Sequence, residues 1–196
     1  MALIAYTLFL LIVVIGRIIL QYRTTGDHGL RPVTAKSSML PKLTSALLMV
    51  SFAATFSLSC LEALGKFNSQ LHLGATGTIT GILFCAIGII VSAISQYQMG
   101  TAWRIGVDVT EKTELVTHGL YSYARNPIYS GVILFGFGLL ILIPHTYMLL
   151  SLFIGYLSIE LQVRYVEEPY LIRLHGTAYE SYAKKVNRYF PMCFIK

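Results

Sequence analysis

Two polar stretches hold most of the side chains in this sequence that could do chemistry. The first runs from Thr113 to Gly131 and contains His118-Gly119-Leu120-Tyr121 and Arg125-Asn126-Pro127-Ile128-Tyr129. The second runs from Arg164 to Pro191 and contains the adjacent pair Glu167-Glu168. Paired carboxylates beside strongly apolar sequence are costly to bury unless each meets an arginine or a ligand. Arg164, one turn earlier, is their nearest candidate partner. Asn126 suits a helix N-cap and Pro127 the first helical position. A helix starting there aims free backbone N–H groups at whatever lies before it, and such an end attracts carboxylate or phosphate. A plainer reading of the same residues is that Asn-Pro only starts a helix, with Tyr121, Tyr123 and Tyr129 in an interfacial aromatic belt.

Familiar catalytic spacings are missing. No GxGxxG follows a strand, and there is no Walker loop, HExxH or serine elbow. His118, His175 and the two glutamates show no metal-ligand spacing, so no metal is expected. A cofactor that brings its own reactivity fits these residues better. The net charge of +6 is spread among apolar runs rather than gathered in a stripe with aromatics, which argues against nucleic acid. Cys60, Cys85 and Cys193 are too few and too widely spaced for a disulfide framework. Cys193-Phe194-Ile195-Lys196 is not a prenylation box, because its last residue is lysine.

The elements that must position these residues are membrane helices. Of 196 residues, 55% are hydrophobic and 12% charged, with a mean hydropathy of +0.66, which excludes an ordinary soluble globule. Apolar runs cover Ala2 to Leu20, Leu43 to Leu64, Ala75 to Ile94, Ile128 to Ile143 and Tyr147 to Leu161. The first three approach the roughly 20 residues that a crossing needs, with Arg17 and Glu62 near enough to run ends to reach the interface. The last two are short. Pro144-His145-Thr146 joins them, a link expected to make an antiparallel hairpin that brings Arg125-Asn126-Pro127 against Arg164 to Glu168. Leu171, Leu174, Ala178 and Tyr182 recur at helical spacing and suggest an amphipathic cytoplasmic helix interrupted near Gly176. Fourteen of the fifteen Lys and Arg residues fall in alternate loops, which places the amino end outside and the polar stretches in the cytosol. The first run lacks basic residues at its amino end, so it is expected to persist as a helix rather than be cleaved. The expected fold is therefore all-α and integral to the membrane: five transmembrane helices, a helix 4–5 hairpin and a cytoplasmic C-terminal helical segment. Residues 1–196 read as one domain. Gly77 and Gly81 suit close helix contact within the chain, and an oligomer is not indicated.

In order and spacing together, His118-Gly119-Leu120-Tyr121 through Arg125-Asn126-Pro127-Ile128-Tyr129, followed by Glu167-Glu168, Gly176, Tyr179, Tyr182 and Arg188 to Pro191, resemble a known family. They are similar to the isoprenylcysteine carboxyl methyltransferases and their prokaryotic relatives, and to the broader phospholipid methyltransferase superfamily. The resemblance covers residues 96–196, which it makes the cofactor-binding and catalytic half. It implies an enzyme dependent on S-adenosyl-L-methionine, its cofactor in a cytosol-facing pocket outside any Rossmann fold and its lipophilic acceptor entering from the bilayer lipids. By the same resemblance Leu115, Val116, His118, Gly119 and Tyr121 line the cofactor pocket and Asn126, Pro127 and Tyr129 complete it. Arg164, Glu167 and Glu168 then stand as the catalytic positions where cofactor and acceptor meet. Eukaryotic members commonly have histidine where Asn126 stands and carry additional membrane helices, departures that bear on the acceptor rather than the cofactor.

The reaction so implied is carboxyl O-methylation of an isoprenylcysteine-like compound, with Arg164 clamping the carboxylate. Three alternatives remain at this point. One is N-methylation of a phospholipid amine, with Glu167 or Glu168 as base. Another is an NADPH-dependent sterol- or enone-type membrane reductase, a group with a related C-terminal arrangement of Arg, Asn-Pro-like and Tyr residues. The third is a non-catalytic membrane scaffold.

Overall fold

The computed structural model describes residues 1–30, 39–104 and 114–191. Cys193 lies outside them, as do four of the basic residues used for sidedness, Arg31, Lys36, Lys112 and Lys196. Among the described residues the chain is helical. We name α1 (Ala2–Thr25), α2 (Met39–Ala63), α3 (Gly74–Met99), α4 (Pro127–Leu142), α5 (Thr146–His175) and α6 (Thr177–Lys185). Two of them contain a widened π-helical stretch, Leu10–Gly16 in α1 and Val163–Glu167 in α5.

Four helices are long and apolar enough to cross a membrane: α1, α2, α3 with its terminal turn to Ala102, and α5. The 16 residues of α4 would cover only about 24 Å of a core about 30 Å thick. Where five crossings were expected, four helices of spanning length and one short helix are found. The fifth apolar run is not short in the structure. Its helix continues through Arg164 to His175, so residues expected to form a separate cytoplasmic segment are the end of α5 itself. The chain does turn at Gly176, as expected, and α6 follows.

Helix packing takes the place that hydrophobic burial has in water, because lipid tails solvate an apolar helix face as well as another helix does. Along α3 and α4 the contact is backbone to backbone. A Cβ on Gly88 would stand 2.5 Å from the Phe135 nitrogen and 2.6 Å from the Gly131 oxygen. One on Gly138 would meet Cys85 Sγ at 2.5 Å. Gly81 belongs to this seam, facing Leu142 and the Gly138 oxygen, whereas a Cβ on Gly77 would meet only Leu73, in the turn before it. The close contact expected of Gly77 and Gly81 is thus made within the chain, by Gly81 and Gly88.

Between α2 and α5 the contact is polar. Ser51 Oγ donates to the Ser151 oxygen (2.8 Å) and Ser151 Oγ to the Ser51 oxygen (3.0 Å). Nearer the polar end Ser158 Oγ donates to the Thr44 oxygen (2.6 Å), and Thr44 Oγ1 to Gln162 Oε1 (2.6 Å). With α4 committed to α3 and α5 to α2, the two helices expected to pair as a hairpin do not pack along their lengths. An apolar groove of about 480 Å³ lies between them, floored by Tyr6, Phe52 and Thr55 and flanked by Val132, Gly136 and Leu152.

Arg17 is buried against protein, only 6% exposed, with its guanidinium 4.8 Å above the Trp103 ring. It donates to Gln21 Oε1 (2.8 Å) and to the Gly100 oxygen. A buried charge is retained where it is stacked and bonded, and here it ties α1 to the end of α3. The α3/α4 seam gives the first test. Gly88→Ala forces the backbones apart and is expected to destabilise the protein by about 1–3 kcal/mol, read as a lowered Tm in detergent.

Candidate active site

At the end of the bundle where α4 begins, the last described residues fold back over the helix start. The backbone N–H groups of Arg125 and Asn126 donate to the oxygens of Asn187 (2.8 Å) and Arg188 (2.9 Å), with Ala124 and Asn187 paired as a parallel bridge. Ser130 Oγ donates to the Tyr189 oxygen. Asn126 is the N-cap of α4 and Pro127 its first residue, as expected, but the Asn126 side chain does not cap the helix. Its amide faces the Arg188 oxygen instead (3.4 Å).

This arrangement sets two arginines on one carboxylate. Arg125 Nη2 lies 2.6 Å from Glu168 Oε1, while its Nη1 donates to the oxygens of Ala183 (2.9 Å) and Val186 (2.6 Å). Arg188 grips Glu168 with two nitrogens, Nε to Oε1 (3.0 Å) and Nη2 to Oε2 (2.8 Å), the forked geometry that suits guanidinium and carboxylate. Its Nη1 continues to Glu160 Oε1 (2.8 Å). Glu160 also pairs with Arg164 Nη2 (2.8 Å) and accepts the Tyr189 hydroxyl at Oε2 (2.8 Å). Charges therefore alternate in the order Arg125, Glu168, Arg188, Glu160, Arg164. The Glu168 bonds hold the Arg188 guanidinium above its ordinary range. The side chains of Arg125 and Glu168 are 11% and 12% exposed, that of Arg164 52%.

Glu167 has different neighbours. The widened turn before it is bonded in the i→i+5 pattern, the Glu168 N–H reaching the Val163 oxygen. Consecutive helical residues point about 100° apart, so Glu168 faces the arginines while Glu167 faces α4. Tyr129 donates its hydroxyl to Glu167 Oε1 (2.7 Å), and the Gln162 side-chain amide lies near this carboxyl. Both partners are neutral. Among the described residues no Lys, Arg or His forms an ion pair with Glu167.

Tyr121 completes the cluster, within electrostatic reach of both Glu167 and Tyr129. It sits in the tight turn Gly119–Ser122, fixed by its hydroxyl to the Ser95 oxygen (3.3 Å) and by the Tyr182 hydroxyl on its own carbonyl (2.5 Å). Burial pushes the Tyr182 phenol up to about 12, so that donor keeps its proton throughout the physiological range. Gly119 opens the turn with φ +61°, and a Cβ there would lie 2.5 Å from Gln98, whose Oε1 accepts the Leu120 N–H (2.8 Å). Leu115 and Val116 are half-buried and His118 exposed in the segment leading into this turn.

Residues 76–178 match the family model of phospholipid methyltransferases. The chain belongs to that family. A probable protein-S-isoprenylcysteine O-methyltransferase from Oryza sativa subsp. indica is 28% identical over 168 residues, 84% of each chain. The protein-S-isoprenylcysteine O-methyltransferase of Schizosaccharomyces pombe is 36% identical over 85 residues, 40% of this chain and 33% of the other. Among solved structures, a eukaryotic intramembrane Ras methyltransferase, isoprenylcysteine carboxyl methyltransferase, shares the fold with a TM-score of 0.60. At 19% identity the match covers 90% of this chain and 60% of that one, so the chain spans about three-fifths of its length. The protein is thus a multi-pass membrane protein of the phospholipid methyltransferase family, similar over most of its length to an isoprenylcysteine O-methyltransferase.

The meeting of the stretch around Arg125 with that around Glu168 agrees with expectation. The pairing of Arg164 does not: it turns back one helical turn to Glu160, and the two glutamates take Arg125, Arg188, Tyr129 and Gln162 as partners. Four of the side chains that build the cluster, Glu160, Gln162, Arg188 and Tyr189, are not among the expected site residues. Glu160 carries its own sequence signal, an ionisable residue inside an apolar run. Glu168→Gln strands two guanidiniums and is expected to cost about 3–5 kcal/mol of stability. Arg164→Gln, half exposed, is expected to cost less than about 1 kcal/mol. Denaturant unfolding in detergent compares them.

Proposed function

We propose that this protein transfers a methyl group from S-adenosyl-L-methionine to the carboxylate of a lipophilic, isoprenylcysteine-like acceptor at the boundary of membrane and cytosol. The observation that carries the reading is the apolar groove between α4 and α5. Its rim residues Phe137, Leu149 and Phe153 are exposed where lipid would lie, and Tyr189 and Phe190 close one end. Beyond Tyr189 stand Glu160 and its arginines. An acceptor tail lying in this groove has its polar end delivered to the charged cluster. Arg164, held by one carboxylate and half exposed, is suited to orient an acceptor carboxylate as a forked partner.

The cluster also fits a cationic cofactor. Glu167 is a carboxylate held by neutral donors, and a positive charge placed against it satisfies a group that would otherwise be costly to keep there. S-adenosylmethionine supplies an electrophilic methyl group on a sulfonium. The protein's share of such a transfer is mainly to hold the partners in line and keep water out. We assign Leu115, Val116, His118, Gly119 and Tyr121 to one wall of the cofactor cleft and Asn126, Pro127 and Tyr129 to the other. Glu167 faces the cofactor's charge, Glu168 fixes the arginines, and residues 96–196 carry the chemistry. The excess of basic residues at this end supports a cytosolic site with the amino terminus outside.

One observation favours a second reading. A carboxylate that among the described residues is met by neutral groups can also take a proton from an ammonium, which would suit methylation of a lipid amine. Membranes containing the protein, incubated with radiolabelled S-adenosylmethionine and extracted into organic solvent, separate the two. A base-labile label is expected, as a methyl ester gives. A base-stable label would move the assignment to amine methylation, and no label in lipid would overturn both.

A further inference from the structure

The groups that orient Glu167 come from three helices, and among them Thr44 lines no part of the groove. An i→i+5 turn sets residues five apart on one face, whereas a regular α-helix would leave them about 140° apart. Gln162 and Glu167 stand in that relation across the widened stretch Val163–Glu167. Gln162 is in turn held from α2, since Thr44 Oγ1 lies 2.6 Å from its Oε1, the shortest of three contacts to acceptors, the others being the Leu40 (3.1 Å) and Pro41 (3.2 Å) oxygens of α2 itself. An oxygen that accepts from Thr44 leaves the Gln162 nitrogen as the end that can donate to the carboxylate. Thr44 is itself fixed, buried at 1% exposure with its carbonyl taking the Ser158 hydroxyl (2.6 Å). On the far side Tyr129 completes the grip (2.7 Å).

We propose that Gln162 is a positioning residue for Glu167, and that Thr44, from within α2, decides which end of the Gln162 amide faces the carboxylate. The polar clasp between α2 and α5 then does more than join two helices. It fixes the amide that aims the carboxylate, so that placement of the cofactor's positive charge depends on a hydroxyl in a different helix. This rests on the reading of Glu167 given above, and the variants below separate the two.

Full-length protein in detergent is titrated calorimetrically with S-adenosylmethionine, and the Tm of each variant is recorded beside it. Glu167→Gln is the reference. Gln162→Ala and Thr44→Val, which keeps the shape and removes the hydroxyl, are each expected to weaken binding about tenfold, the scale of a hydrogen bond to a charged group. Thr44→Ser, which restores the hydroxyl, is expected to bind within twofold of the parent. In a Glu167→Gln background neither Gln162→Ala nor Thr44→Val is expected to weaken binding further, because the group they orient has lost its charge. A merely structural role would give the same losses in both backgrounds, with Thr44→Ser falling beside Thr44→Val, and that pattern overturns the proposal. So does a strong effect of Glu167→Gln with no effect of Gln162→Ala. If Glu167→Gln itself leaves binding unchanged, the reading of Glu167 fails and the positioning role fails with it.

Discussion

Glu168 is gripped by Arg125 from the start of α4 and by Arg188 from the segment beyond α6, and the rest of the site depends on that three-residue contact. Two guanidiniums on a largely buried carboxylate leave one positive charge over, which Glu160 takes up through Arg188. Opposite charges so arranged repay part of the large cost of leaving water. They also draw together parts of the chain some 60 residues apart, because Arg125 binds the carbonyls of Ala183 and Val186 with the same side chain. With the start of α4 fixed, the position of Tyr129 one turn along is fixed too. Each partner of Glu167 thus inherits its place from a contact made elsewhere.

Two adjacent glutamates therefore have opposite circumstances. Glu168 has its charge met and serves the fold. Glu167, turned to the other side by its place on the helix, meets neutral groups among the described residues, which is why the proposed function sets it against a ligand's positive charge. The groove reflects a similar division of labour. Because α4 is committed to α3 by its glycines and α5 to α2 by its serines, neither helix packs fully on the other. The gap they leave is apolar and ends beside the charged cluster.

Much of this was legible in the sequence. Asn126-Pro127 marked a helix start, the three-residue link after Ile143 required the stretches around Arg125 and Glu168 to meet, and Gly176 marked a turn. What was not legible came from helix geometry and long-range partners. An interior proline removes a backbone bond and crowds the turn before it, yet α5 runs on through Pro169. The widened turn just before it lets α5 continue, and sequence periodicity carries no sign of that extra residue. Arg164 looked like the partner of the glutamates because it is near in sequence, yet Arg125 and Arg188 reach Glu168 from other elements. The glycine contact falls at Gly81 and Gly88 rather than at Gly77 and Gly81, because Gly77 faces its own preceding turn while Gly81 and Gly88 face α4.

In the proposed function Glu167 meets the positive charge of S-adenosylmethionine and Glu168 does not. S-adenosylmethionine and S-adenosylhomocysteine differ by one methyl group and one positive charge at sulfur, so the ratio of their dissociation constants isolates that charge. The measurement is this ratio, by calorimetry, in the parent protein and in Glu167→Gln. The substitution is expected to weaken the charged ligand about tenfold more than the neutral one, the order of a desolvated charge contact. An equal loss for both ligands, or a loss confined to the neutral one, would contradict it.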